Sequence, residues 1–119
     1  MIQRTRLVIA DDDEPTRLLL QALVLLVPEF DLVGVAADGT EAVDLAQRHA
    51  PDLVVLDVEM PGMDGFAAAE AIAASLPDTR VLLHTGDDDG TKQRKARALG
   101  LKLVRKGDFT ATLEAATGG

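Results

Sequence analysis

The sequence predicts an α/β fold, a single five-stranded parallel sheet with helices on both of its faces. Short apolar runs alternate five times with segments of helical periodicity along the 119 residues. The strand candidates, such as Leu53–Leu56, are continuous apolar runs, which is typical of strands buried on both faces. Right-handed crossovers between parallel strands then place helices on either side of the sheet.

The first half of the chain contains three predicted strands and two predicted helices. Pro15 suits the first turn of a helix, and Pro28 lies just beyond its end. Thr40 follows an Asp-Gly turn and is expected to cap the second helix. The predicted elements are strand Leu7–Ala10, helix Glu14–Leu26, strand Asp31–Ala37, a helix from Thr40 to about His49, and strand Leu53–Leu56.

The second half continues the alternation after a loop that contains a Met-Pro-Gly-Met-Asp-Gly run. The predicted elements are helix Phe66–Ser75, strand Arg80–Thr85, helix Thr91–Leu99, strand Leu101–Val104 and a short helix Phe109–Ala116. A polar acidic loop, Gly86–Gly90, precedes the fourth helix. We expect residues 1–119 to form one domain with its core between about residues 6 and 116, and residues 117–119 to be a loose tail.

The composition argues against several classes of protein. A net charge of −8 opposes nucleic acid, and the absence of Trp and Tyr leaves little for base stacking. No apolar run approaches the ~20 residues that span a membrane. The chain has no cysteine, so it has no disulfide and no thiolate metal site. We therefore expect a cytoplasmic domain that by itself binds neither nucleic acid nor membrane.

Polar side chains stand where the predicted strands end. Asp11 and Asp12 follow the first strand, Asp57 follows the third, Thr85 ends the fourth, and Lys106 follows the fifth. In open α/β sheets, functional sites form beyond the carboxyl ends of the strands. If the strands are neighbours, these five side chains converge on one small region.

This set of side chains suits phosphoryl transfer to a carboxylate. A carboxylate can attack phosphorus when a metal ion offsets negative charge, and Mg²⁺ prefers oxygen ligands. Asp57 is then the nucleophile, with Asp12 and Asp57 as direct ligands of Mg²⁺ or Mn²⁺ and Asp11 acting through a water. Lys106 would offset phosphoryl charge, and the Thr85 hydroxyl would donate a hydrogen bond.

Taken together, these residues resemble the receiver domain of two-component response regulators, the CheY-like superfamily. The resemblance rests on Asp11-Asp12, the run Asp57-Val58-Glu59-Met60-Pro61-Gly62-Met63-Asp64-Gly65, Thr85-Gly86 and Lys106. It covers the chain from about Leu7 to about Ala116. The N-terminal half is similar to the receivers of LuxR/NarL-type regulators, which carry helix-turn-helix domains. The resemblance implies a flavodoxin-like, doubly wound fold with strand order 2-1-3-4-5.

The resemblance also implies a function. Such a domain takes a phosphoryl group from a sensor histidine kinase or phosphotransfer protein onto Asp57, with Mg²⁺, and switches a surface that binds an output domain or effector. Thr85 and Lys106 match the switch hydroxyl and the phosphoryl-binding lysine, and the backbone carbonyl of Glu59 matches a metal ligand. The domain would assist only its own phosphorylation and dephosphorylation, as a monomer or weak dimer. The resemblance identifies neither the kinase nor the output.

Two departures from the family pattern concern the output response. Leu103 stands where most members carry an aromatic ring, and the fourth helix lacks an apolar stripe. We expect a weak or altered conformational response. Two alternatives remain open: a degenerate, phosphorylation-independent interaction module, and a phosphohydrolase with an aspartate nucleophile. The chain is either a stand-alone regulator or a piece of a longer one.

Other candidate residues are given structural interpretations. His84 is expected to face away from Thr85 because side chains alternate along a strand, and it is assigned no chemistry. His49 is treated in the same way. The basic side chains of the fourth helix are expected to be a solvated face, with partner binding as the alternative; they are Lys92, Arg94, Lys95 and Arg97.

Overall fold

The computed structural model describes residues 4–86, 90–106, 108, 111 and 114. Five parallel strands form one sheet in the order β2-β1-β3-β4-β5, so the predicted class and strand order are confirmed. The strands are β1 Thr5–Ala10, β2 Phe30–Ala36, β3 Leu53–Asp57, β4 Arg80–Thr85 and β5 Lys102–Arg105. The helices are α1 Glu14–Leu25, α2 Gly39–His49, α3 Gly65–Ser75 and α4 Thr91–Ala98. The predicted helix Phe109–Ala116 and the acidic loop fall largely outside the described residues.

Aspartates begin three of the four helices in the described part of the chain. Asp13, Asp38 and Asp64 have extended backbones, and each side chain accepts a hydrogen bond from the amide three residues later at 2.8 to 3.1 Å. The prediction that Thr40 caps α2 is wrong. The Asp38 side chain accepts the hydrogen bond from the Glu41 amide, so Asp38 is the cap and the helix begins at Gly39.

Each face of the sheet carries its own apolar core. The core on the α2, α3 and α4 side contains Val8, Ala10, Val54, Leu56 and Leu83 from the strands and Ala42, Phe66, Ile72 and Ala96 from the helices. The core on the α1 side contains Leu7, Ile9, Leu53, Val55 and Leu82 with Leu20 and Val24 of α1. Successive strand residues therefore alternate between two buried layers, which accounts for the continuous apolar runs.

The loop after β3 brings α3 close against the end of that strand. The Gly65 amide donates to the Val58 carbonyl at 2.8 Å. A Cβ at Gly65 would lie 2.3 Å from the Asp57 carbonyl oxygen, so no larger residue fits there without a shift of the backbone. This close approach holds Asp57 at the carboxyl end of the sheet. Among the described helices, none is long and apolar enough to cross a membrane.

Candidate functional site

Three carboxylates meet at the carboxyl edge of the sheet, and we refer to Asp11, Asp12 and Asp57 as the acidic rim. One carboxylate oxygen from each lies within 4.8 Å of those of the other two. Asp11 is 0 % exposed and Asp57 is 2 % exposed, whereas Asp12 faces solvent. The prediction that the ends of β1 and β3 bring these acids together is confirmed.

Lys106 lies directly between the two buried acids. Its Nζ is 3.2 Å from Asp11 Oδ1, 3.1 Å from Asp11 Oδ2 and 3.0 Å from Asp57 Oδ2. Burial lowers the pKa of Lys106, but its bonds to Asp57 and Asp11 outweigh this effect and raise the pKa above its usual value. The ammonium is therefore a fixed positive charge within the site.

Asp57 is held in a state that resists ionisation. Burial raises its pKa to about 7, and the negative charge of Asp11 acts in the same direction, while the Lys106 ammonium, 3.0 Å from Asp57 Oδ2, opposes both. The Glu59 amide also donates to Asp57 Oδ1 at 3.2 Å. One lysine therefore does not fully compensate the two buried carboxylates.

The buried oxygens show where a further positive charge belongs. Asp11 Oδ2 and Asp57 Oδ2 are buried and lie within ion-pair distance of Lys106, yet neither receives a hydrogen bond of good geometry. A buried acceptor left in this state costs free energy. Mg²⁺ binds carboxylate oxygens and waters. The donor set of the acidic rim therefore fits a hard divalent cation.

The rim opens into a cleft of about 450 Å³, which gives a phosphoryl group room to reach Asp57. The cleft is lined by Asp12, Asp13, Asp57, Glu59, Gly86 and Lys106. The mouth is open to solvent, and its walls carry charges of both signs.

Thr85 and Lys92 connect the site to α4. Thr85 is buried at the end of β4, and Lys92 Nζ lies 3.4 Å from its Oγ1. The same ammonium forms an ion pair with Glu59. The expectation of a solvated helix face is therefore wrong for Lys92, whose side chain crosses from α4 to the loop after β3. Arg94, by contrast, is exposed and contacts only the neighbouring Thr91 hydroxyl among the partners recorded for it.

Leu103 stands in the core rather than at the site. It is 9 % exposed and packs in the layer between the sheet and α2, α3 and α4. Met60 lies in the same layer, and Met63 packs against it, so both methionines are packing residues.

His84 is the residue that sequence reasoning undervalued. It does face away from Thr85, but the face it occupies is that of the buried acids. It is 1 % exposed, and its Nε2 lies 3.3 Å from Asp11 Oδ2. Burial lowers the pKa of His84 to about 4, although the Asp11 charge opposes this. The imidazole is therefore neutral at physiological pH.

Alternation along the strands could have identified His84. The residues two and four positions before Asp11 and Asp57 pack on the α1 side of the sheet, as does Leu82, two before His84. His84 is also the Cα partner of Asp57 in the β3–β4 register. Side chains alternate between the two faces along each strand. Counting back from the strand ends would therefore have placed His84 on the same face as Asp11 and Asp57, beside the acidic rim.

Known proteins with similar sequences were found in several regulator classes. The chain is 39% identical over 103 residues to protein-glutamate methylesterase/protein-glutamine glutaminase 4 of Myxococcus xanthus, covering 85% of this chain and 29% of that protein. It is 37% identical over 86 residues to the transcriptional regulatory protein LiaR of Bacillus subtilis, covering 71% of this chain and 41% of that protein. The chain thus spans less than half the length of these relatives.

Solved structures of response regulator domains superpose closely on this chain. The signal receiver domain of the response regulator NarL from Mycobacterium tuberculosis superposes with a TM-score of 0.88 at 32% identity, covering 98% of this chain and 99% of that one. The response regulator domain of Thermotoga maritima CheB gives a TM-score of 0.79 at 28% identity, covering 89% and 81%. The family model for the response regulator receiver domain matches residues 7–106. The chain belongs to the response regulator receiver domain family of two-component systems.

Proposed function

We propose that Asp57 accepts a phosphoryl group from the phosphohistidine of a sensor histidine kinase or phosphotransfer protein. The observation that carries this proposal is a buried carboxylate whose Oδ2 lies 3.0 Å from Lys106 and lacks a well-oriented hydrogen bond, at the floor of an open cleft. The other carboxylates of the acidic rim lie close enough to share a divalent cation with it.

The transfer is a substitution at phosphorus. An oxygen of the Asp57 carboxylate forms a bond to phosphorus while the bond from phosphorus to the imidazole nitrogen breaks, and its electron pair stays on that nitrogen. The product is an acyl phosphate on Asp57. Lys106 is placed to offset the charge of the phosphoryl oxygens, and the Thr85 hydroxyl can donate to one of them.

Asp12 and Asp57 are the proposed direct ligands of Mg²⁺ or Mn²⁺, together with the backbone carbonyl of Glu59. Asp11 is assigned an indirect contact through water, because its Oδ1 already accepts the Asp13 amide at 2.8 Å and Lys106 lies against both of its oxygens. When bound, the cation would neutralise charge on the carboxylates and on the transferred group.

The proposed output is a change at the surface formed by α4 and β5. Phosphorylation of Asp57 would draw the Thr85 hydroxyl toward the phosphoryl oxygens, and Lys92 contacts that hydroxyl from α4. Receiver domains pair histidine kinases with output domains, and the relatives include both a methylesterase and transcriptional regulators. The output of this chain is therefore not assigned to either class.

Intact-mass measurement with a small phosphoryl donor tests the proposal. With phosphoramidate and Mg²⁺, we expect the mass of one phosphoryl group to be added, and we expect no addition in EDTA or in Asp57→Asn. Asp31→Asn is the matched control, because Asp31 is exposed on β2, and it should be labelled like the wild type. A complete absence of label would favour the phosphorylation-independent module. Steady turnover of a phosphate ester would favour the phosphohydrolase.

A further inference from the structure

The buried imidazole of His84 completes the surroundings of Asp11. Asp11 Oδ1 accepts the Asp13 amide at 2.8 Å and faces Lys106 at 3.2 Å. Its Oδ2 faces Lys106 at 3.1 Å and His84 Nε2 at 3.3 Å. The two groups that approach Oδ2 thus come from the ends of β4 and β5.

His84 Nε2 is itself a buried polar atom without a well-oriented hydrogen bond. A buried polar atom left in this state costs free energy, so the ring is stabilised when Asp11 turns toward it. The backbone carbonyl of Ala10 is a second acceptor for the ring, so the tautomer decides which oxygen receives the ring proton. A proton directed at Asp11 would fix the orientation of that carboxylate.

We propose that His84 is a positioning residue, whose Nε2–H donates to Asp11 Oδ2 and holds that carboxylate in the orientation needed to face a divalent cation. Histidines and carboxylates just outside the direct ligands commonly set ligand orientation and affinity in metal sites. This inference rests on the proposed function in so far as the acidic rim binds such a cation.

The tautomer of His84 is a test that needs no metal. The chain has two histidines, and His49 on α2 supplies the second pair of ring signals. A long-range ¹H–¹⁵N spectrum of the metal-free protein shows which ring nitrogen carries the proton, and His49→Gln assigns the signals. We expect the Nε2–H tautomer for His84. An Nδ1–H tautomer would leave a bare lone pair facing Asp11 and would overturn the inference.

Mn²⁺ affinity, measured by titration calorimetry or by the paramagnetic signal of the free ion, provides the second test. We expect His84→Leu to weaken Mn²⁺ binding about tenfold. His84→Gln, whose amide nitrogen can occupy the position of Nε2, should restore most of the affinity. His49→Gln is the control and should bind like the wild type. Unchanged affinity in a folded Leu variant would contradict the positioning role.

The remaining outcomes separate this inference from the proposed function. If His84→Leu does not fold, His84→Asn replaces it, since the Asn amide is too short to reach Asp11 and should bind Mn²⁺ about tenfold more weakly than the Gln variant. Equal affinity in the Asn and Gln variants would overturn the inference. If the wild type binds no Mn²⁺ at all, the proposed function fails, whereas the tautomer still decides whether His84 donates to Asp11.

Discussion

The acidic rim and helix α4 are built differently. The rim places two buried carboxylates around Lys106, at distances of 3.0 to 3.2 Å. Helix α4 buries only Ala96, whereas α3 buries five residues. A strained, densely packed site therefore stands beside a lightly held helix. The difference indicates that the rim is the part built for chemistry and that α4 is held by fewer buried contacts.

The two regions also carry opposite charge. Residues 90–106 contain seven of the chain's 12 lysines and arginines and no acidic residue. The remaining five basic residues share the rest of the chain with all 20 acidic ones. Among the described residues, Lys92 forms an ion pair with Glu59, and Lys106 forms ion pairs with Asp11 and Asp57. A change in charge at Asp57 would therefore be felt first through these two lysines.

Removing the ammonium of Lys106 from beside the acidic rim should produce the largest loss of stability. Lys106→Met leaves two buried carboxylates without their ammonium, and we expect a loss of about 3 kcal/mol in the free energy of unfolding, measured by urea denaturation in EDTA. Lys102→Met, at an exposed position on β5, is the control and should change little. A Lys106 variant as stable as the wild type would show that the rim is not strained by charge.

Asp57→Asn should stabilise the metal-free protein at neutral pH. The pKa of Asp57 is about 7 in the folded protein, against an ordinary value of 3.8, so the folded state keeps a proton that the unfolded chain releases. The stability that this retained proton contributes to the folded state is complete below pH about 4 and is lost as the pH rises through about 7. We therefore expect a gain of about 2 kcal/mol at pH 8 and almost none at pH 4.

The control for this variant is Asp31→Asn, which removes the same charge from an exposed site. Thermal unfolding of both variants in EDTA from pH 4 to pH 8 separates the loss of a buried charge from a reduction of the net charge of −8. An equal gain in both variants, or a gain that does not depend on pH, would contradict the burial argument.

Breaking the contact between the two regions should have a smaller effect. Lys92→Met removes the ion pair with Glu59 and the contact with Thr85, and exposed pairs of this kind contribute about 1 kcal/mol or less. We expect faster amide hydrogen exchange in α4, with Arg97→Met as the exposed control on the same helix. Unchanged exchange in Lys92→Met would mean that the lysine does not restrain α4.

The smallest effect is expected in the response of α4 itself. Leu103 is a buried aliphatic residue and has no ring that could reorient when Thr85 moves. On addition of the phosphomimetic BeF₃⁻ with Mg²⁺, amide chemical shifts should change strongly around the acidic rim and weakly along α4. Large changes throughout α4 would show that an aromatic ring is not needed for the switch.

The fold was predictable because burial on both faces leaves a simple trace in the sequence. Continuous apolar runs such as Leu53–Leu56 identified the strands, and the ends of β4 were predicted without error. The start of α2 was not, because Asp38 and Thr40 are both good caps and only the backbone geometry decides between them. The strand order came from the resemblance rather than from the apolar pattern.

The site was predictable in its residues but not in its contacts. Asp11, Asp57 and Lys106 follow apolar runs whose carboxyl ends share one edge of the sheet, so their convergence follows from topology. The contacts of His84 and Lys92 depend on side-chain reach across neighbouring elements. The alternation of side chains along β4 could have placed His84 on the face of the buried acids. Nothing in the helical pattern of α4 distinguished Lys92 from Arg94.

The most direct test of the central claim, that Asp57 and the acidic rim act together on phosphorus with a divalent cation, is ¹⁹F NMR of BeF₃⁻ bound to the protein. The account predicts bound fluorine signals with Mg²⁺ in the wild type, their loss in EDTA, and their absence in Asp57→Asn. Bound signals that persist in EDTA or in Asp57→Asn, or no bound signals in the folded wild type with Mg²⁺, would contradict it.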